Sequence, residues 1–152
     1  MANQGNNFGQ DFSFTPGTRS LTTTSQYSFV CFQTASAAQT KTPDIPNTDN
    51  MFSFPCGVVQ NRLSAGSSEL TVRMDGVSKV ICGDSVTAGA WVILNVGATA
   101  TGHIDTVTQG GQTATTAPAL IDAVVGMALE PGQTNQAVEI HLRMAIAPTY
   151  IT

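Results

Sequence analysis

Charge is scarce in this sequence. Of 152 residues only 11% are Asp, Glu, Lys or Arg, against roughly a quarter in an ordinary globular domain. Six are basic, Arg19, Lys41, Arg62, Arg73, Lys79 and Arg143, and they stand singly. Nucleic-acid binding rests on clustered Lys and Arg that displace counterions from phosphates. With no cluster and a net charge of −4, neither DNA nor RNA is an expected partner. Membrane-surface binding is excluded on the same ground. Long apolar runs are missing too. Ala90–Leu94 and Ala123–Val125 fall far below the roughly 20 residues that span a bilayer. Met1–Asn7 has neither a positive region nor an apolar stretch, so it does not read as a signal peptide. The expected place of synthesis and assembly is the cytoplasm.

Cysteine is sparse and odd in number. Cys31, Cys56 and Cys82 are far apart, and Cys31 and Cys82 adjoin apolar neighbours. Without a secretory signal they read as reduced, buried, small hydrophobes. No Cys or His pair has zinc spacing. Asp84, Asp105 and Asp122 are scattered, whereas calcium needs a dense set of oxygens. No metal and no cofactor are expected. Catalytic signatures are absent as well: there is no Gly-x-Ser-x-Gly elbow, no Gly-x-Gly-x-x-Gly and no phosphate loop. His103 near Asp105 is the one pair resembling a base with its orienter, and it sits in a Thr/Gly-rich stretch. His141 alternates with apolar residues and reads as a solvated surface histidine. No catalytic residue is assigned, and no enzymatic role is expected.

Uncharged polar residues take the place of the missing charge: 21 Thr, 11 Ser, 10 Gln and 8 Asn, beside 14 Gly. Threonine favours strands, and a 41% hydrophobic content argues against disorder. The chain divides into three parts. Residues 1–25 are polar and read as an extended N-terminal arm carrying Phe8, Phe12 and Phe14, without sustained periodicity. Residues 26–144 are the expected β-rich body. Residues 145–152 form a tail with an apolar tip at Tyr150 and Ile151, beyond Pro148.

Within the body two segments alternate strictly. Leu70, Val72 and Met74 share one face, with Glu69, Thr71 and Arg73 on the other. Val138, Ile140, Leu142 and Met144 share a face, with Glu139, His141 and Arg143 opposite. Period two with one apolar face is the signal of a half-buried antiparallel strand. Glu69 with Arg73, and Glu139 with Arg143, read as cross-strand or interface ion pairs. Further strands are expected at Tyr27–Phe32, at Gly76–Cys82 after an Asp75-Gly76 turn, at Ala90–Val96 with the single Trp91, and more weakly at His103–Val107. Leu120–Leu129 reads as a buried run that opens in a short helix or a strand. The expected core is Leu70, Val72, Met74, Trp91, Val138, Ile140 and Leu142, with Val92 and Val125 near them.

Glu69–Met74 echoes Glu139–Met144, and each follows a glycine-led strand and a small turn, Gly57–Asn61 then Ala65-Gly66, and Gly126–Glu130 then Pro131-Gly132. Two similar hairpins, one per half, imply an all-β fold, a compact antiparallel barrel or sandwich closed by related halves.

The same residues carry a family resemblance. Tyr27–Val30, Cys56–Asn61, Ala65-Gly66, Leu70–Val80, Cys82–Gly89 with Trp91-Val92, and Val124–Glu130 follow in order. The set resembles the small β-rich capsid decoration, or cement, proteins of tailed bacteriophages over residues 27–144. The segment from Thr34 to Met51 is longer than the family's usual spacer, and residues 1–25 are additional. The resemblance implies a structural virion protein on the outer surface of the head, with the major capsid protein and itself, as a homotrimer, for partners. It implies a role in stabilising the shell against packaged DNA. Phe8, Phe12, Phe14, Tyr150 and Ile151 are the expected capsid or subunit contacts. An arm of roughly 25 extended residues reaches up to about 80 Å. A β-rich virion module that binds host carbohydrate through exposed aromatics is the competing reading.

Overall fold

A computed structural model describes residues 9–15, 21, 25–32, 43–45, 54–63, 69–94, 102–106 and 124–145. Among them there is no helix. Ten strands run β1 (Asp11–Phe14), β2 (Phe29–Phe32), β3 (Pro43–Asp44), β4 (Phe54–Val59), β5 (Leu70–Arg73), β6 (Gly76–Ile81), β7 (Trp91–Leu94), β8 (Ile104–Thr106), β9 (Val124–Ala128) and β10 (Ala137–Ala145). They form two five-stranded antiparallel sheets, in the orders β1-β5-β4-β2-β3 and β6-β10-β9-β7-β8. The fold is an all-β sandwich.

The second order is the first with five added to every strand number. The two halves of the chain therefore have one topology, and the likeness extends to the register. In sheet 1 Val30 faces Gly57 and the register then slips at Cys56; in sheet 2 Val92 faces Gly126 and slips at Val125. Each slip is a bulge with one extra residue. The glycine beside it lies so close to the next strand that a side chain would collide with a backbone carbonyl, that of Arg73 for Gly57 and that of His141 for Gly126. The entry turns match as well. Ser28 N–H donates to Ser25 C=O and Tyr27 N–H to Val59 C=O, while Ala90 donates to Thr87 and Gly89 to Ala128. Gln60 N–H donates to Thr71 C=O as Leu129 does to Glu139. Thr71 thus answers to Glu139, so the structural repeat is two residues out of step with the sequence echo that aligned Glu69 with Glu139. An even slip leaves every side chain on its face.

The sheets stack front to back. Phe29, Cys31 and Val58, on the near face of sheet 1, join Val80, Val92, Leu94, Ile104, Val125, Ala128, Val138, Ile140 and Leu142 of sheet 2 in the larger core. The far face of sheet 1 buries a second cluster of Val30, Cys56, Val59, Leu63, Leu70 and Val72, with Phe14, Leu21, Phe32, Ile45 and Met74 packed on it. Leu70, Val72, Val138, Ile140 and Leu142 are buried as expected, and Met74 is half-buried. The two alternating segments lie in different cores, not in one.

Two expectations need correction. Trp91 is not in the core: it is 48% exposed. It precedes Val92, which points into the sandwich, so parity sends the indole outward. Within residues 1–25, read as an extended arm outside the body, Asp11–Phe14 is the outer strand of sheet 1, paired with β5. Phe12 and Phe14 alternate with Asp11 and Ser13, which suffices where backbone partners are available. The spacer between Thr34 and Met51 contributes the two-residue strand β3, which pairs with β2. Phe8, Tyr150, Ile151, the tail 146–152 and residues 120–123, where the sequence allows a short helix, lie outside the described residues, as does the side chain of Met144.

Candidate interaction surface

Strand pairing gathers one outward-facing row on the far face of sheet 2. Trp91 faces Met127, Met127 faces His141, and His141 faces Val77, one residue from each of four adjacent strands. Trp91 is exposed and the other three are half-buried. Leu129, next on this face after Met127, is 44% exposed. Its rim carries the exposed charges Lys79 and Glu139, which sit opposite each other. An apolar centre with a charged rim is the makeup of a protein contact surface.

The equivalent row in sheet 1 is Phe29, Val58, Arg73 and Asp11. There Phe29 and Val58 are fully buried against sheet 2. Arg73 forms a forked pair with Asp11, Nε to Oδ1 at 2.7 Å and Nη2 to Oδ2 at 2.9 Å, and its Nη1 donates to Val77 C=O at 2.9 Å. The guanidinium holds the Asp11 carboxyl below its usual range through those hydrogen bonds, and Asp11 raises Arg73 in return. Glu69 instead accepts from Ser13 Oγ at 2.6 Å. The ion pair expected on this strand is therefore cross-strand, with Asp11 rather than Glu69.

Of the predicted contact residues, Phe12 is 43% exposed on outer strand β1. Phe14 packs edge-on to Phe32, ring centroids 5.6 Å apart, beneath the far face of sheet 1. Phe12 and Phe14 lie on one face but differ in access, so the structure does not present them as a joint exposed site.

The three thiols are buried, and His103 is half-buried. Burial pushes the Cys56 thiol up to about 12, raises Cys31 further, with Cys56 nearby adding to it, and raises Cys82. Burial also lowers His103, against an opposing effect of Asp105. Among the described residues no group of three or more His, Cys, Asp or Glu is placed to hold a metal ion.

Sequence reasoning missed Leu129, Met127 and Val77 as surface residues. The signal was the outward His141, whose parity passes across the ladder to Met127, Trp91 and Val77 once the register is known.

No family model matches this chain, and no curated protein does. Among solved structures it shares its fold with "The crystal structure of head fiber gp8.5 N base in bacteriophage phi29". The TM-score is 0.52 at 17% identity, over 88% of this chain and 95% of that one.

Proposed function

We propose that this protein is a structural component of a bacteriophage head: a decoration protein that binds the outside of the major capsid protein shell and stabilises it against the packaged DNA. The observation that carries the reading is the sandwich shared with a phage head fiber base along most of both chains. The ordered motif set that resembles the cement proteins supports it independently. The outward row around Trp91 fits a protein that works by contact. The protein acts as a homotrimer, and the segment before β1, with Phe8, reaches the shell or a neighbouring subunit.

Adding the purified protein to expanded heads that lack it tests this. Saturable binding, with heads that resist heating or osmotic shock better, is the expected result. Heads that neither bind the protein nor gain resistance would refute it. One observation favours the carbohydrate reading: an exposed indole on a sheet face is suited to stack on a sugar ring. Binding on a glycan array that Trp91→Ala abolishes, with head binding untouched, would establish that alternative.

A further inference from the structure

The internal repeat shows how the exposed face of sheet 2 is covered elsewhere in the same molecule. Its counterpart, the near face of sheet 1, is closed by the other repeat. At the edge of that joint Gln60 Nε2 donates to Ser78 Oγ at 2.9 Å. The position equivalent to Gln60 is Leu129, since both donate their N–H to matching carbonyls of the neighbouring strand. The position equivalent to Ser78 is Phe12: Phe12 faces Val72 and Ser78 faces Ile140, and Val72 and Ile140 face the matched residues Val59 and Ala128. The polar pair inside the molecule is thus replaced by two large apolar side chains. Phe29 of the joint likewise answers to Trp91. Trp91, Leu129 and Phe12 are the exposed large hydrophobics among the described residues.

We infer that a second copy of this chain docks head to tail on this face. The far face of sheet 2 in one copy, centred on Trp91, meets the margin of sheet 1 in the next, with Leu129 against Phe12 where the internal joint has Gln60 against Ser78. The middle of the far face of sheet 1 is already filled, Val30, Val59, Leu70 and Val72 being fully buried. The incoming copy therefore meets it at strand β1, where Phe12 stands clear. Such a contact joins two different patches, so it generates a ring if the rotation closes. This deepens the self-association in the proposed function and rests on that part of it alone.

Cross-linking of the free protein, without heads, tests the contact, so its outcome is independent of whether the protein binds a shell. The double variant Phe12→Cys/Leu129→Cys, treated with a short bis-maleimide, should give a covalent ladder of oligomers. Phe12→Cys alone and Leu129→Cys alone should remain single chains on a denaturing gel, because each joint then holds one new thiol and the three native ones are buried. Trp91→Ala and Leu129→Gln should retain the wild-type circular dichroism spectrum and shift light-scattering mass toward the monomer. A ladder from Leu129→Cys alone would mean a face-to-face contact and overturn the inference. So would an absent ladder from the double variant. Variants at Trp91 and Leu129 that stay oligomeric but no longer bind heads would assign the face to the shell instead, and overturn it equally.

Discussion

Tyr27 occupies a left-handed backbone conformation, φ 67°, that its counterpart Gly89 occupies at φ 78°. The same turn is built once with the residue suited to it and once without. A β-carbon in this region costs roughly 1–2 kcal/mol. Nothing lies within 4 Å of a Cβ placed on Gly89, so Gly89→Ala isolates the backbone term and should lower stability by about 1 kcal/mol in urea denaturation. A second prediction concerns Asp11, whose lowered pKa comes first from its hydrogen bonds to Arg73. A carboxyl depressed in the folded state contributes stability above its unfolded pKa, near 3.8, and loses it as pH falls through the folded value. The Asp11 side chain is 35% exposed, so screening holds the contribution to about 0.2–1 kcal/mol. Wild type should exceed Asp11→Asn in stability at pH 6, and the gap should close below about pH 3.8 and narrow with salt. The thiols give a third. With Cys31 and Cys56 buried and raised, the folded protein should resist iodoacetamide at neutral pH, and all three cysteines should react after denaturation, as mass spectrometry would show.

At the scale of strands, β5 and β10 were legible because each alternates over a full face, and both faces are buried as the pattern required. Val72→Asp and Ile140→Asp should each abolish folding, since each would leave an unpaired charge in the interior. Loss of amide dispersion in a proton–nitrogen spectrum would show it. Strand β7 was legible as a strand but not in orientation. Trp91-Val92-Ile93-Leu94 is apolar throughout, and a run without alternation does not say which parity faces inward. Strand β1 was hidden because Phe12 and Phe14 alternate over only four residues in a polar stretch; its position depends on β5, which no local signal announces. Strand β3 has two residues and no pattern to read. The hairpin echo was visible, but its true register is not: Gln60 N–H donates to Thr71 C=O and Leu129 N–H to Glu139 C=O, so the two turns differ in length and only the ladder sets the alignment. For the same reason the outward row across β7, β9, β10 and β6 had no signature in sequence. It exists only once the ladder brings four separate residues side by side.

At the scale of the whole molecule, front-to-back stacking makes the halves interdependent although their topologies are the same. Sheet 1 buries its far face within its own cluster, but Phe29, Cys31 and Val58 on its near face are covered only by joining the core of sheet 2. Backbone bonds cross the joint in both directions: Phe29 N–H donates to Gly102 C=O at 2.7 Å, and Ile81 N–H to Tyr27 C=O at 3.1 Å. Neither half can be withdrawn without exposing apolar area and orphaning buried backbone groups of the other. The two repeats should therefore unfold as one cooperative unit. Trp91 gives a test, because the single tryptophan lies in sheet 2 while Phe29 lies in sheet 1. Phe29→Ala should cost about 3–5 kcal/mol, a large share of the roughly 5–15 kcal/mol that holds a domain together. If the sandwich is one unit, that loss should shift the Trp91 fluorescence transition and the far-ultraviolet dichroism transition by the same denaturant increment, and they should remain superimposed. If the halves fold independently, the dichroism should split into two steps while Trp91 keeps its wild-type midpoint.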